Sequence, residues 1–270
     1  MTGTPVIQTR DLTKSYGGVA AVRGLNLSVE PNRITGTVLG KRITDAKENC
    51  EMRRSVAYVA ENKPLYGYMT VEQTIRFASS FYSDWRTNVA KKLLNEYKLP
   101  LQRKVKSLSK GMRTKLALLL AFARRPELLI LDEPSEGLDP VGIELLLQML
   151  VAQASQGVPI FFSSHQIAEV ERVADDICIL DNGRLLVNAS LDHLRESYRR
   201  IDLVFPFAPP EYEFQIAGVE RIHSQGHEMR VFASKNAEAV IEHARDLNAV
   251  SVEVAPVALR DIFLETVKEN

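Results

Sequence analysis

The chain has 270 residues, with 34 lysines and arginines balanced by 34 aspartates and glutamates. That length can bury a large core and hold one large domain, or one domain plus a small one. The balanced charge gives no field that would draw the chain to nucleic acid or anionic lipid. Cys50 and Cys178 show no disulfide spacing, a usage that suits a reducing compartment and small buried apolar groups. The longest apolar run, Leu116 to Ala123, is too short to cross a bilayer. The start, MTGTPVIQTRD, lacks the apolar core of a signal peptide.

Val6 to Val29 reads as two short strands joined through Lys14–Gly18, with Tyr16 in the polar turn between them. Pro31 and Asn32 make a turn, and Ile34 begins a strand that runs into GTVLGKR (Gly36 to Arg42). A phosphate loop follows the pattern GxxxxGK[ST]. Gly36, Gly40 and Lys41 imitate it one residue short, and Arg42 stands where a hydroxyl would hold magnesium. The pattern occurs nowhere else in the chain. Val56 to Val59 is a short apolar strand, followed by Glu61 in a polar loop. Taken by itself, Glu61 reads as a solvated acid in a loop.

Thr70 to Leu99 alternates apolar and polar residues at helical spacing, and Thr70, Glu72 and Gln73 suit a helix start. Phe77, Phe81, Tyr82 and Trp85 suit a core or a surface for a membrane partner. In SLSKGMRTK (Ser107 to Lys115), Ser109 can cap the apolar helix that follows, Met112 to Ala123. Serine, a flexible glycine (Gly111) and free N–H groups at a helix start also make an anion site.

LLILDEPSEGLDP, Leu128 to Pro140, is the stretch around which the chain is organised. Its apolar run between Pro126 and Pro134 suits a strand buried on both faces of a parallel sheet. Asp132 and Glu133 then fall at the carboxyl end, where open α/β sheets bind ligands. Asp139 precedes a helix over Gly142–Gln153, with Gly157 closing it. Pro159 to Phe162 is a further core strand leading to Ser163, Ser164 and His165. Ile177–Leu180 and Leu185–Val187 form a hairpin about Asp181-Asn182-Gly183. Beyond Leu194 come short strands and one amphipathic helix, Asn236 to Leu247.

Four of these motifs, in this order over roughly residues 6–194, resemble the ATP-binding cassette (ABC) ATPases. Asp132 and Glu133 resemble the Walker B motif, SEGLD the D-loop, LSKG the signature loop (with Lys110 and Met112 in place of the commoner glycine and glutamine), and His165 the switch histidine. Between Gly36 and Thr37 the family would have a phosphate loop and a helix, roughly 20 residues. The resemblance implies an α/β fold of the P-loop NTPase type, with a mixed sheet flanked by helices and a helical subdomain at about 63–115. It implies a cassette over 1–194, incomplete at the phosphate loop, and a small α+β accessory domain over 195–270.

By that resemblance ATP and Mg2+ are the cofactors. Tyr16 stacks on adenine, Asp132 and Glu61 serve the magnesium, Glu133 polarises the attacking water and His165 contacts the γ-phosphate. Ser109 and Gly111 face the γ-phosphate bound by the other cassette of a head-to-tail dimer, and Asp139 communicates between the two sites. The implied partners are an integral-membrane permease and a second cassette, identical or different, with no nucleic acid. The implied location is cytoplasmic, on the inner face of the membrane through the permease. The implied function is an ATP-hydrolysing subunit that powers export, its own nucleotide binding undermined by the missing loop. Two other readings stand beside it: a non-catalytic cassette that donates its signature loop, and a soluble cassette in translation or repair. The exporter-like tail counts against the last.

Overall fold

A computed structural model describes residues 7–16, 19–29, 52–208 and 211–267. The decoy GTVLGKR, Cys50 and most of the stretch Thr44 to Arg54 that could refill the gap lie outside the described residues. The chain divides into two compact units, Met1–Ala174 and Asp175–Asn270.

In the first unit, β1 (Ile7–Tyr16) and β2 (Val19–Val29) form an antiparallel pair. They are longer than their composition suggests. Tyr16 is the last residue of β1, opposite Val19, rather than part of the turn. Strand pairing thus extends through the polar Lys14 and Ser15, because backbone hydrogen bonds carry a hairpin where side chains do not argue for it.

The centre of this unit is a parallel sheet of β3 (Val56–Val59), β4 (Leu128–Asp132) and β5 (Ile160–Ser163), with β4 in the middle. Parallel neighbours need long crossovers. The link from β3 to β4 contains α1 (Val71–Ser79), α2 (Thr87–Glu96) and α3 (Lys110–Ala123), and α4 (Pro140–Ala154) links β4 to β5. A helix α5 (Ile167–Val173) follows β5.

Because β4 is covered on both faces, Leu128 and Leu129 are fully buried and Leu131 nearly so. Leu129 and Leu131 pack in one core with Leu116, Leu118, Leu119 and Phe122 of α3 and Leu146 and Leu150 of α4. Burying each such side chain contributes about 1.5–3 kcal/mol, so this core fixes where the carboxyl end of β4 lies.

The helix ends are set by capping. Thr70 and Gln73 make a reciprocal capping box: the Gln73 N–H donates to Thr70 Oγ1 at 3.1 Å and the Thr70 N–H to Gln73 Oε1 at 2.9 Å. Ser109 accepts from the Met112 N–H at 3.2 Å, and α3 starts at Lys110, two residues before the apolar pattern begins. Asp139 accepts from the Gly142 N–H at 2.8 Å, with Pro140 in the first helical position.

In the second unit, β6 (Asp176–Asp181) and β7 (Arg184–Ser190) pair about Asn182 and Gly183, both with positive φ, as a tight primed hairpin turn requires. A short helix α6 (Leu191–Ser197) follows. Then β8 (Arg199–Val204), β9 (Val219–Gln225), β10 (Glu228–Ala233) and β11 (Ser251–Pro256) build an antiparallel sheet in the order β11-β8-β10-β9. Helix α7 (Ala237–Asp246) contributes Val240 and Ala244 to a core with Ile201, Leu203, Met229 and Val231. The last described element is α8 (Leu259–Val267).

Candidate functional site

The register of the parallel sheet sets Asp132 opposite Ser163 at the carboxyl ends of β4 and β5. Ser163 Oγ donates to Asp132 Oδ1 at 2.7 Å and accepts from the Glu133 N–H at 3.2 Å. One hydroxyl therefore orients the first carboxylate and pins the backbone that carries the second. Glu133 has a φ of 46°, in the left-handed region, which costs a non-glycine residue roughly 1–2 kcal/mol. His165 Nδ1 lies 2.8 Å from Glu133 Oε2, and its Nε2 lies 3.0 Å from the Gln166 side-chain amide. With the proton on Nδ1, the imidazole donates to Glu133 and accepts from Gln166. Asp132, Glu133, Ser163 and His165 thus form one cluster at the mouth of the sheet.

A second cluster lies where the start of α3 meets the loop after β4. Gly111 is packed so tightly that a Cβ there would come 2.1 Å from the Gly137 carbonyl oxygen, and Gly137 has a φ of 78°. Lys110 pairs with Glu136, and Thr114 Oγ1 donates to the Glu136 carbonyl at 3.0 Å. Lys115 Nζ contacts both Asp139 oxygens at 3.1 Å. The Lys110 hydrogen bond, with help from Lys63, holds the Glu136 carboxyl below its ordinary range. The Gly142 N–H and then Lys115 do the same for Asp139. Between the clusters, Lys63 Nζ donates to the Glu133 carbonyl at 3.3 Å and lies 3.9 Å from Glu136 Oε2.

Beside these lies an exposed aromatic groove. Tyr66 meets Phe77 edge-on at 5.7 Å, and Phe77 meets Phe81 at 5.0 Å. Tyr66, Phe77 and Phe81 are 53%, 40% and 62% exposed, enough to leave an apolar surface uncovered. The groove has a volume of about 290 Å³ and is also lined by Lys63, Leu120 and Arg124.

A family model described as ABC transporter matches residues 25–136. The ABC transporter ATP-binding protein YtrB of Bacillus subtilis is 25% identical over 285 residues, covering 96% of this chain and 97% of YtrB. A solved structure of an ATP-binding subunit of an ABC transporter matches with a TM-score of 0.63 at 28% identity, over 71% of this chain and 92% of that one. By these likenesses the chain resembles the ATP-binding subunits of the ABC transporter family and has the fold of their ATP-binding cassette. The bacitracin transport ATP-binding protein BcrA of Bacillus licheniformis is 29% identical over 223 residues, 72% of this chain and 73% of BcrA. Cassettes of this family bind ATP and magnesium, dimerise and work with membrane permeases.

Of the residues singled out in the sequence, the fold brings Asp132, Glu133 and His165 together. It places Ser109, Gly111 and Asp139 around the second cluster. Glu61 is exposed in the turn after β3; it lies two residues before Lys63, on which its charge acts. Tyr16 is placed by its backbone in β1. Three groups that hold these clusters together are not among the candidate residues of the sequence: Ser163, Lys63 and Glu136. Ser163 is visible only once the strand register is known. The Lys110–Glu136 pair spans 26 residues of sequence, with no periodicity to reveal it.

Asp132 suits half of a magnesium site. Its Oδ1 is held by Ser163, which aims the carboxylate, and magnesium is usually held by one or two carboxylates together with waters and substrate phosphates. Among the described residues no group of three or more histidine, cysteine or acidic side chains could cage a metal, so the remaining ligands would come from phosphate and water. Bound there, magnesium would supply charge neutralisation of the phosphates.

The depressed carboxyl of Asp139 has a consequence with a definite sign. Its folded-state value lies below the unfolded value of about 3.9, so its contribution is present above that value and lost as pH falls through the folded value. The Tm of the wild type should exceed that of Asp139→Asn at pH 6–7, both measured by circular dichroism. The gap should close as pH drops below about 4.

Proposed function

We propose that this chain serves an exporter as one of two cassettes on a separate permease, its signature loop completing the nucleotide site of the opposite cassette. The observation that carries the reading is the docking of Gly111 on Gly137 with Ser109 capping α3. This leaves the start of a fourteen-residue helix built as an anion-facing element. Its own nucleotide grip is weakened, because no GxxxxGK[ST] occurs in the sequence. That favours a heterodimer in which an intact cassette holds the ATP. Asp132, Glu133 and His165 keep the arrangement in which a carboxylate polarises water and an imidazole meets the γ-phosphate. Tyr16 is assigned to adenine and Glu61 to the magnesium–water network.

The aromatic groove is assigned to the permease, through which the chain sits on the cytoplasmic face of the membrane. Among the described residues no helix is long and apolar enough to cross it. The export direction rests on the likeness of the tail to exporter accessory domains, and the cassette is taken to run to residue 194.

The test is Ser109→Asp. Aspartate caps a helix as well as serine does, so the fold should survive while a carboxylate faces the γ-phosphate. In an assembly purified with its permease and an intact cassette, ATP hydrolysis should fall at least roughly a hundredfold, as when one transition-state donor is lost. The unfolding free energy should stay within about 0.5 kcal/mol of the wild type. Hydrolysis at the wild-type rate would sink the assignment of Ser109.

A further inference from the structure

Lys63 is a charged side chain only 3% exposed, on a loop whose neighbours Pro64, Leu65 and Tyr66 line the aromatic groove. Its backbone is left-handed, with a φ of 43°, and its N–H closes a turn onto the Ala60 carbonyl at 3.1 Å. Nothing in the chemistry of ATP hydrolysis described above requires it. A buried ammonium costs several kcal/mol of desolvation unless it is paired, so its partners show what the position is built for.

Among the described residues Lys63 Nζ makes one hydrogen bond and one ion pair. Lys63 Nζ donates to the Glu133 carbonyl at 3.3 Å, an oxygen that also accepts from the Glu136 N–H at 3.2 Å. Lys63 Nζ also faces Glu136 Oε2 at 3.9 Å, beyond hydrogen-bond reach, and that oxygen is buried without a hydrogen-bond partner. The other Glu136 oxygen is taken by Lys110, the first residue of α3. An unsatisfied acceptor therefore sits roughly 1 Å short of a bond to Lys63. A small movement of the groove loop would strengthen one Lys63 contact at the expense of the other.

We infer that Lys63 is a positioning residue that ties the groove loop to the loop carrying Glu133 and, through the Glu136 carboxylate and Lys110, to the signature helix. It touches no reacting atom and acts through Glu136. Whatever fills the groove and shifts this loop resets the signature helix and the backbone of the acid together. The purpose of the linkage rests on the transporter reading. The linkage itself is a property of the lone chain and is tested there, so its failure is distinct from a failure of the Ser109→Asp assay.

The experiment is amide hydrogen exchange on the full chain, reading Met112 and Arg113 at the start of α3. Lys63→Met should fold, because Glu136 keeps Lys110 and no charge is stranded. It should speed exchange at Met112 and Arg113 roughly three- to tenfold, although Lys63 bonds to neither residue. Glu136→Gln should do the same, and the double variant should exceed neither single one, since both cut one chain of contacts. Lys63→Arg should restore much of the protection, and together with Glu136→Gln it carries the test if Lys63→Met does not fold. Wild-type exchange at Met112 and Arg113 in Lys63→Met or Glu136→Gln would overturn the linkage, as would strictly additive effects. A purely local structural role would raise exchange around residues 133–137 alone.

Discussion

Magnesium-ATP titrated into the lone chain by calorimetry should give no saturable binding up to about millimolar concentration. A phosphate loop offers several backbone N–H donors and a lysine, and each hydrogen bond to a charged group is worth about 1.5–3 kcal/mol. Losing three of them removes roughly 4.5–9 kcal/mol. Binding between millimolar and micromolar amounts to only about 4–8 kcal/mol, so the loss equals the whole affinity. Gly36, Gly40 and Lys41 do not replace the loop, because the spacing is short by one residue and Arg42 offers no hydroxyl to magnesium. Inserting a phosphate loop with its helix, roughly 20 residues, between Gly36 and Thr37 should restore binding in the micromolar range, about 8 kcal/mol. Tight binding by the unaltered chain would show that the phosphates are held by some other set of groups.

Gly111→Ala should be the most damaging single methyl in the cassette. The added Cβ would meet the Gly137 carbonyl oxygen at 2.1 Å, a contact with backbone rather than with the flexible end of a side chain. Relief requires that the start of α3 and the loop after β4 separate. Overpacking of this kind costs about 1–3 kcal/mol, and in a cassette of this size roughly 2–12 °C of Tm. The effect on function should exceed the effect on stability. The same separation pulls Lys110 off Glu136 and moves Ser109, so hydrolysis by the paired cassettes should fall further than Tm alone explains. Thermal melting and steady-state hydrolysis on one preparation separate the two; an unchanged Tm would mean that the two loops do not touch.

The strands and caps of the cassette were legible because each rests on a short local signal. The buried run Leu128–Leu131 between two prolines could be little other than a central strand, and β4 has it as such. Ser109 and Thr70 cap the helices for which their hydroxyls suit them. Asn182-Gly183 sits at the hairpin tip. Where signals were weak or distant, legibility stopped. The polar neighbours of Tyr16 predict a turn, yet backbone pairing carries it into β1. The carboxylate cluster was foreseeable from Asp132 and Glu133, but not the hydroxyl that orients it, since Ser163 arrives through strand register. Lys63, Glu136 and Lys110 are far apart in the chain, and only the crossover that brings α3 against the loop after β4 makes them one network. The balanced composition concealed this, because net charge says nothing about which acids and bases meet.

Glu133 holds its left-handed backbone directly before Pro134, a conformation that glycine would adopt without penalty. Replacing the acid by glycine would relax that turn and remove the side chain from reach of His165 in the same step. The chain therefore tolerates a less comfortable backbone at this point in exchange for a carboxylate whose direction is dictated by the main chain instead of by rotamer choice. Efforts to raise the heat resistance of this protein by smoothing out unfavourable torsions should accordingly leave residue 133 alone.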